Sequence, residues 1–197
     1  MVDRIISALL NTAVMMAIIP VLGLVIDFIT SVILNAIARH LNKGIALFVG
    51  NWLTFVGVVH HELAHMLMAI ISGARVDKVQ LFKPQDDTLG KVSITPRGNI
   101  VLQKVQTTLT AIGPVILGLL SLYLINYFWL ANCTEIWQYL IVGYLMFSIF
   151  IHMTMSKQDV KVCAEGLPIC IVLVFLIVLI FNINLTDIFT EAFNYEK

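Results

Sequence analysis

The sequence predicts an all-α polytopic membrane protein with about five transmembrane helices and a small cytoplasmic β-hairpin between the second and third helices. Composition is the first observation behind this class. Of the 197 residues, 59% are hydrophobic and only 12% are charged, and the mean hydropathy is +0.94. A soluble domain has about 25% charged residues. The chain therefore lacks the polar surface that a water-soluble fold requires.

The distribution of the apolar residues is the second observation, because a membrane-crossing helix needs about 20 of them in succession. The apolar segments are 5–37, 45–72, 105–130, 137–155 and 166–183. The first contains Pro20 and Asp27. We expect it to form one crossing that ends near Ile26, followed by an interfacial helix to Arg39. No internal repeat or second domain is visible, so residues 1–197 are expected to form a single transmembrane domain.

The positions of lysine and arginine predict the orientation, because cytoplasmic loops carry an excess of these residues. Five crossings place the N-terminus and the loops 73–104 and 156–165 on one side. Nine of the twelve basic residues lie there, and Arg39, Lys43 and Lys197 lie on the other side. We therefore expect a multi-pass protein of the cell membrane with a cytoplasmic N-terminus and a C-terminus outside. Twelve acidic residues balance the basic ones, so no nucleic-acid partner is expected.

The loop between the second and third helices has the pattern of a β-hairpin. Residues 76–82 and 89–95 alternate β-branched or apolar residues with polar ones, around the turn-rich sequence at 84–87. We expect a hairpin over 76–95. The edge at 76–82 could pair with an extended peptide, or the hairpin could simply connect two helices, and the alternation leaves both open.

The second apolar segment contains the pattern H-E-x-x-H as His61, Glu62 and His65. Residues four positions apart lie on one face of a helix, so the two imidazoles converge. A zinc ion held there lowers the pKa of its bound water to about 7, and Glu62 is placed to accept the proton. Because ionisable residues inside a membrane are costly and usually functional, we predict one Zn²⁺ ion rather than a polar packing patch. His60 is expected to face a neighbouring helix or water.

A catalytic zinc ion needs a third protein ligand and an open position. The candidates near the cytoplasmic side are Asp159, Glu165 and His152, whereas Asp27 is predicted toward the opposite face. With Ser156, Asp159 also forms the S-x-x-D pattern of a helix cap. Capping and ligation are compatible, because a capping carboxylate can still present one oxygen to a metal. We predict Asp159 as the third ligand and His152 as a core or supporting histidine.

These residues resemble the site-2 protease family of intramembrane zinc metalloproteases. The H-E-L-A-H sequence lies in an early transmembrane helix, Gly113-Pro114 lies within the next, and Asp159 precedes a further one, in the family's order. The hairpin also resembles the sheet that this family is thought to use for substrate handling. The resemblance covers about residues 50–168, and the chain is similar to a compact member without a PDZ or cystathionine-synthase-type domain.

The resemblance implies an intramembrane zinc metalloendopeptidase that acts in regulated intramembrane proteolysis. His61, His65 and Asp159 would be the zinc ligands, and Glu62 would be the general base. The expected partners are the lipid bilayer and a membrane-embedded protein substrate, cleaved near the cytoplasmic side. The sequence predicts no oligomeric state.

Two positions depart from the family's pattern. Val160 follows the aspartate where the family often has glycine, and Leu117 stands where it often has asparagine. Three other functions remain open. The first is a prenyl-protein-processing type of membrane metalloprotease with Glu165 as the third ligand. The others are a zinc transporter or metal sensor in which His61 and His65 line a path, and a catalytically inactive substrate-binding scaffold.

Overall fold

The computed structural model describes residues 2–83 and 89–185 as a helical bundle with one small sheet. The elements of this part are α1 (Val2–His40), α2 (Lys43–Leu47), a π-helix (Phe48–Leu53), α3 (Phe55–Ser72), β1 (Arg75–Gln80), β2 (Lys91–Thr95), α4 (Ile100–Phe128), a 3-10 helix (Leu130–Asn132), α5 (Ile136–His152) and α6 (Lys157–Phe181). Within it, α1, α3, α4 and α6 are long and apolar enough to cross a membrane, whereas α5 has 17 residues. The prediction of a helical membrane protein is confirmed. The described residues contain four candidate crossings, whereas the sequence predicted five.

Helix α1 is one continuous helix of 39 residues, which corrects the prediction of a crossing and a separate interfacial helix. Pro20 removes one backbone hydrogen bond without ending the helix, as membrane helices tolerate. Between Gly23 and His40 the chain has no glycine or proline, so no residue favours a break. Ile26, the predicted end, is 2% exposed and packs in one cluster with Ile149 of α5.

The second apolar segment, predicted over 45–72, is interrupted at Thr54, just before α3. The Thr54 hydroxyl donates to the carbonyl of Val49 at 2.8 Å, and the Thr54 carbonyl accepts from the Ser148 hydroxyl of α5 at 3.0 Å. The same Ser148 oxygen accepts from the Gly57 N–H at 2.8 Å. A Cβ on Gly57 would collide with the Ser148 carbonyl oxygen, so this glycine allows α3 to dock directly on α5.

The predicted hairpin is confirmed in the described residues. β1 and β2 pair antiparallel, with Arg75 opposite Thr95. The chain leaves α3 at Gly73, whose φ of 86° is the left-handed conformation that glycine adopts without strain. The predicted turn at 84–87 lies outside the described residues.

Helices α5 and α6 run in the same direction, and this corrects the prediction of alternating crossings. Residues 153–156, between them, are not helical. Met153 packs against Gly118 of α4, and Gly166 packs against Thr108, about three turns closer to the start of α4. Because α5 begins at Ile136, shortly after α4 ends, and the chain has reached Gly118 at Met153, both α5 and α6 run antiparallel to α4. Residues 156–165, which were predicted as a cytoplasmic loop, are helical from Lys157 onward.

The first turns of α1 lie beside the end of α6. The Arg4 guanidinium donates to the carbonyl of Leu179 at 2.7 Å, and the Asn11 amide donates to the carbonyl of Ile183 at 3.3 Å. Farther along α1, Gly23 lies against Met155, just before α6. The two helices are thus antiparallel, and the start of α1 and the end of α6 share one end of the bundle. The start of α1 and the end of α6 therefore do not lie at opposite ends of the bundle, as five alternating crossings would place them. The cytoplasmic location of the N-terminus and the outside location of the C-terminus stay predictions.

We predict that Gly57→Ala lowers the stability of the protein in detergent by about 1–3 kcal/mol, because the added Cβ forces α3 away from the Ser148 carbonyl. Gly143→Ala in α5 is the matched control, since a Cβ there meets nothing within 4 Å. Thermal unfolding in one detergent measures both variants. Equal midpoints would contradict the docking of α3 on α5 through Gly57.

Candidate metal centre

Helix α3 brings two imidazoles together, as the spacing of its histidines predicts. The Nε2 atoms of His61 and His65 are 3.1 Å apart, and the two rings cross at 82°. His65 is only 8% exposed, so the pair lies inside the bundle. Both residues line one cavity of about 770 Å³, within the size range of ligand-binding pockets.

Asp159, in the first turn of α6, completes a group of three candidate metal ligands. Its Oδ1 lies 3.6 Å from the Nε2 of His65, and the three ligand atoms all lie within 4.8 Å of one another. Ligand atoms bound at about 2.0–2.1 Å in a tetrahedron lie about 3.3 Å apart. The distances of 3.1 and 3.6 Å bracket that value. The structure therefore brings together the three residues predicted as zinc ligands, and two imidazoles with one carboxylate fit that metal.

Backbone carbonyls hold both imidazoles in one tautomer. His61 Nδ1 donates to the carbonyl of His152 at 2.7 Å, and His65 Nδ1 donates to the carbonyl of Thr110 at 2.8 Å. Because a carbonyl oxygen only accepts, both Nδ1 atoms carry the proton and each neutral ring keeps a lone pair on Nε2. Two lone pairs that face each other at 3.1 Å repel, and a cation between them removes that repulsion. Metal-ligating histidines have this arrangement, in which the second ring nitrogen bonds to a carbonyl.

Two separate features leave these carbonyls without a backbone partner in their own helices, so that they can accept from the imidazoles. In a helix the Thr110 carbonyl would accept from the N–H four residues later, but that residue is Pro114, which has no N–H. His152 is the last residue of α5, where carbonyls lack a partner within the helix. The Gly113-Pro114 pair therefore contributes directly to the site, because Pro114 releases the carbonyl that orients His65.

The two carboxylate oxygens of Asp159 have different roles. Oδ2 accepts from the Ser156 N–H at 2.9 Å and from the Ser156 hydroxyl at 2.5 Å. The Asp159 N–H donates back to the Ser156 oxygen at 3.2 Å, which completes the predicted capping box. Oδ1 remains directed toward His65. The cap therefore orients the carboxylate, and capping and ligation occur together without conflict.

Glu62 is 7% exposed and lines the same cavity, underneath the hairpin. A Cβ on Gly90 would lie 2.8 Å from the Cδ and Oε1 atoms of Glu62, so this glycine allows the backbone to lie directly over the carboxylate. No pattern in the sequence indicated this role. The hairpin residues that line the cavity include Val92 and Ile94 of β2 and none of β1. The strand at the site is therefore β2 and not the edge predicted at 76–82.

The remaining predicted candidates lie outside the cluster of ligand atoms. His60 faces a neighbouring helix as predicted, and its Nε2 lies 2.9 Å from the hydroxyl of Ser121. His152 supports His61 through its backbone carbonyl, in keeping with the supporting role predicted for it. Glu165 is exposed and accepts from the Lys104 ammonium at 3.0 Å, which places its carboxylate in an ion pair between α4 and α6.

Comparisons of the chain with protein-family models, curated proteins and solved structures find no match. The resemblance to site-2 proteases therefore rests on the sequence motifs alone. The geometry that bears on it consists of two anchored imidazoles, a capped aspartate and a buried glutamate around one cavity.

We predict that Pro114→Ala weakens zinc binding by about 10-fold, because the restored N–H competes with His65 for the Thr110 carbonyl. Pro168→Ala is the matched control, since Pro168 also lies inside a helix but does not line the cavity. Competition with a zinc-binding dye measures both dissociation constants. If Pro114→Ala binds zinc as tightly as the wild type, the released carbonyl is not what orients His65.

We also predict that Asp159→Ala loses most of its bound zinc, because one of the three ligand atoms is removed. Glu165→Ala should keep its zinc, since the Glu165 carboxylate pairs with Lys104 instead. Metal analysis of both detergent-purified variants gives the zinc content. If Asp159→Ala kept its zinc and Glu165→Ala lost it, Glu165 would be favoured as the third ligand, as in the prenyl-processing alternative.

Proposed function

We propose that this protein is an intramembrane zinc metalloendopeptidase of the site-2 protease type. One observation carries the proposal: two histidines with free Nε2 atoms, a capped aspartate and Glu62 surround one cavity within a bundle of apolar helices. A structural polar cluster would not need two imidazoles whose lone pairs face each other.

The residues of the site would have different roles in peptide hydrolysis. His61, His65 and Asp159 would hold the zinc ion, which when bound polarises the scissile carbonyl and acidifies water. Glu62 accepts a proton from water while the water oxygen bonds to the carbonyl carbon. Glu62 then donates that proton to the amine nitrogen as the carbon–nitrogen bond breaks.

The surroundings favour a peptide substrate from the membrane. Apolar helices surround the site, and an extended segment can approach it beside β2, whose outer edge has no strand partner among the described residues. A peptide bond within an intact helix has its carbonyl and N–H engaged, so the substrate must be locally unwound before hydrolysis. We propose that the substrate is a membrane-embedded protein segment, cleaved on the side of the hairpin, which the sequence predicts to be cytoplasmic.

We predict that Glu62→Gln lowers the cleavage rate by about 10²–10⁴-fold while zinc remains bound, because the amide cannot accept the proton from water. Glu165→Gln makes the same chemical change at an exposed acid and should keep both cleavage and zinc. The assay follows proteolysis of an apolar model peptide in detergent, with zinc measured on the same samples. Cleavage by Glu62→Gln at the wild-type rate would overturn the proposed function.

A further inference from the structure

The hairpin lies over Glu62, and packing rather than hydrogen bonding holds its strands there. Gly90 lies directly over the carboxylate of Glu62, which is buried. In the part of the chain that the structure describes, no residue of β1 or β2 forms a hydrogen bond or an ion pair with a helix. Val79 shares a face with Val92, which lines the cavity, and yet Val79 remains exposed. The hairpin is therefore only loosely packed on the bundle.

Three aromatic rings connect the outer end of the hairpin to the bundle. The ring of Phe82, just after β1, crosses that of Trp52 in the π-helix at 82°, with centroids 5.3 Å apart. It also lies 6.1 Å from the ring of Phe55, in the first turn of α3. Trp52 and Phe55 are both exposed, so this contact is at the surface. We call the three residues the aromatic clasp, and none of them lines the cavity.

At its base the hairpin is joined to α3 and α4 through two glycines. Gly73, before β1, and Gly98, after β2, both have a φ of 86°. A glycine changes φ and ψ without a steric penalty, and a hinge consists of a few such positions at the ends of elements. The Arg97 N–H donates to the buried side chain of Gln106 at 2.7 Å. The base is therefore anchored to α4, whereas only ring contacts hold the outer end.

The part of the hairpin between its base and its outer end is one paired unit. Its pairing continues past the strands, where the Lys83 N–H donates to the carbonyl of Leu89 at 2.7 Å. Because Phe82 and Gly90 both belong to this unit, they move together. Opening the clasp therefore moves Gly90 away from Glu62.

We propose that the hairpin is a cover over Glu62, which pivots at its base and is held closed by the aromatic clasp. In the closed position Gly90 blocks access to the carboxylate from the side of the hairpin. The proposal rests on the proposed function for the role of Glu62. It goes further by assigning control of access to three rings that lie outside the cavity.

Labelling of carboxylates tests the proposal in the zinc-loaded protein in detergent. A water-soluble carbodiimide with glycine ethyl ester converts accessible carboxylates to amides, and mass spectrometry of peptides gives the rate at each position. Glu62 should react slowly, because it is buried under Gly90. Glu135, which is exposed just before α5, gives the rate of an uncovered carboxylate in the same sample.

Phe82→Ala removes both ring contacts of the clasp and should raise the rate at Glu62 about ten-fold relative to Glu135. Phe128→Ala is the matched control, since Phe128 is also exposed and its ring crosses that of Tyr127 at 87°, at the far end of α4. This control should label Glu62 as the wild type does. Equal rates at Glu62 in the wild type and in Phe82→Ala would overturn the proposal.

Two further measurements distinguish the clasp from a general loosening of the bundle. Adding Trp52→Ala to Phe82→Ala should cause no further increase, because the contact between these rings is already lost. Cys163 is buried in the core, so its reaction with a maleimide should be equally slow in all variants. An additive effect of the two substitutions, or faster reaction of Cys163 in step with Glu62, would contradict the clasp.

The labelling needs no turnover, so the two proposals can fail separately. If Phe82→Ala uncovers Glu62 while the wild type cleaves no peptide, the cover stands and the enzymatic function fails. If the wild type cleaves but Phe82→Ala labels Glu62 at the wild-type rate, the function stands and the cover fails.

Discussion

The structure depends on two backbone carbonyls that their own helices leave unpaired. The carbonyls of Thr110 and His152 accept from the Nδ1 atoms of His65 and His61 and thereby set the tautomer of both rings. To supply them, α4 and the end of α5 must both lie against α3. The small residues at the helix contacts follow from this requirement: Gly57 allows α3 to meet α5, and a Cβ on Gly113 would lie 3.0 Å from the Ala64 carbonyl oxygen of α3.

The interruption between α5 and α6 serves the same centre. A helix that continued past His152 would pair its terminal carbonyls internally and would have no cap to orient a carboxylate. Because α5 ends there and α6 begins at Lys157, a free carbonyl and a capping box occur four residues apart, on either side of the ligand cluster. Both are ordinary properties of helix ends, and the interruption places them beside the cavity.

The sequence was sufficient to predict which three candidate metal ligands lie together, but it was insufficient to predict the path of the chain. His61, His65 and Asp159 could be predicted because helical periodicity and the capping pattern are local, and each depends on spacing of a few residues. The direction of α6 could not be predicted in the same way. An apolar segment of 17 residues looks like a short crossing, and only its contacts with α4 reveal that α5 and α6 continue in one direction. The role of Gly90 could not be predicted, because the side chain that it lies against, Glu62, is far away in sequence.

The same reasoning explains why so few polar groups occur in the bundle and why they are concentrated. Lipid offers no hydrogen bonds, so any free N–H or carbonyl in this region needs a partner from the protein or from a ligand. Pro114 and the end of α5 leave the carbonyls of Thr110 and His152 without a partner in their own helices, and both of these residues line one cavity, as does Thr154 of the non-helical residues 153–156. The two carbonyls hold imidazoles. Thr154, whose hydroxyl and N–H have no hydrogen-bond partner among the described residues, lines the same cavity.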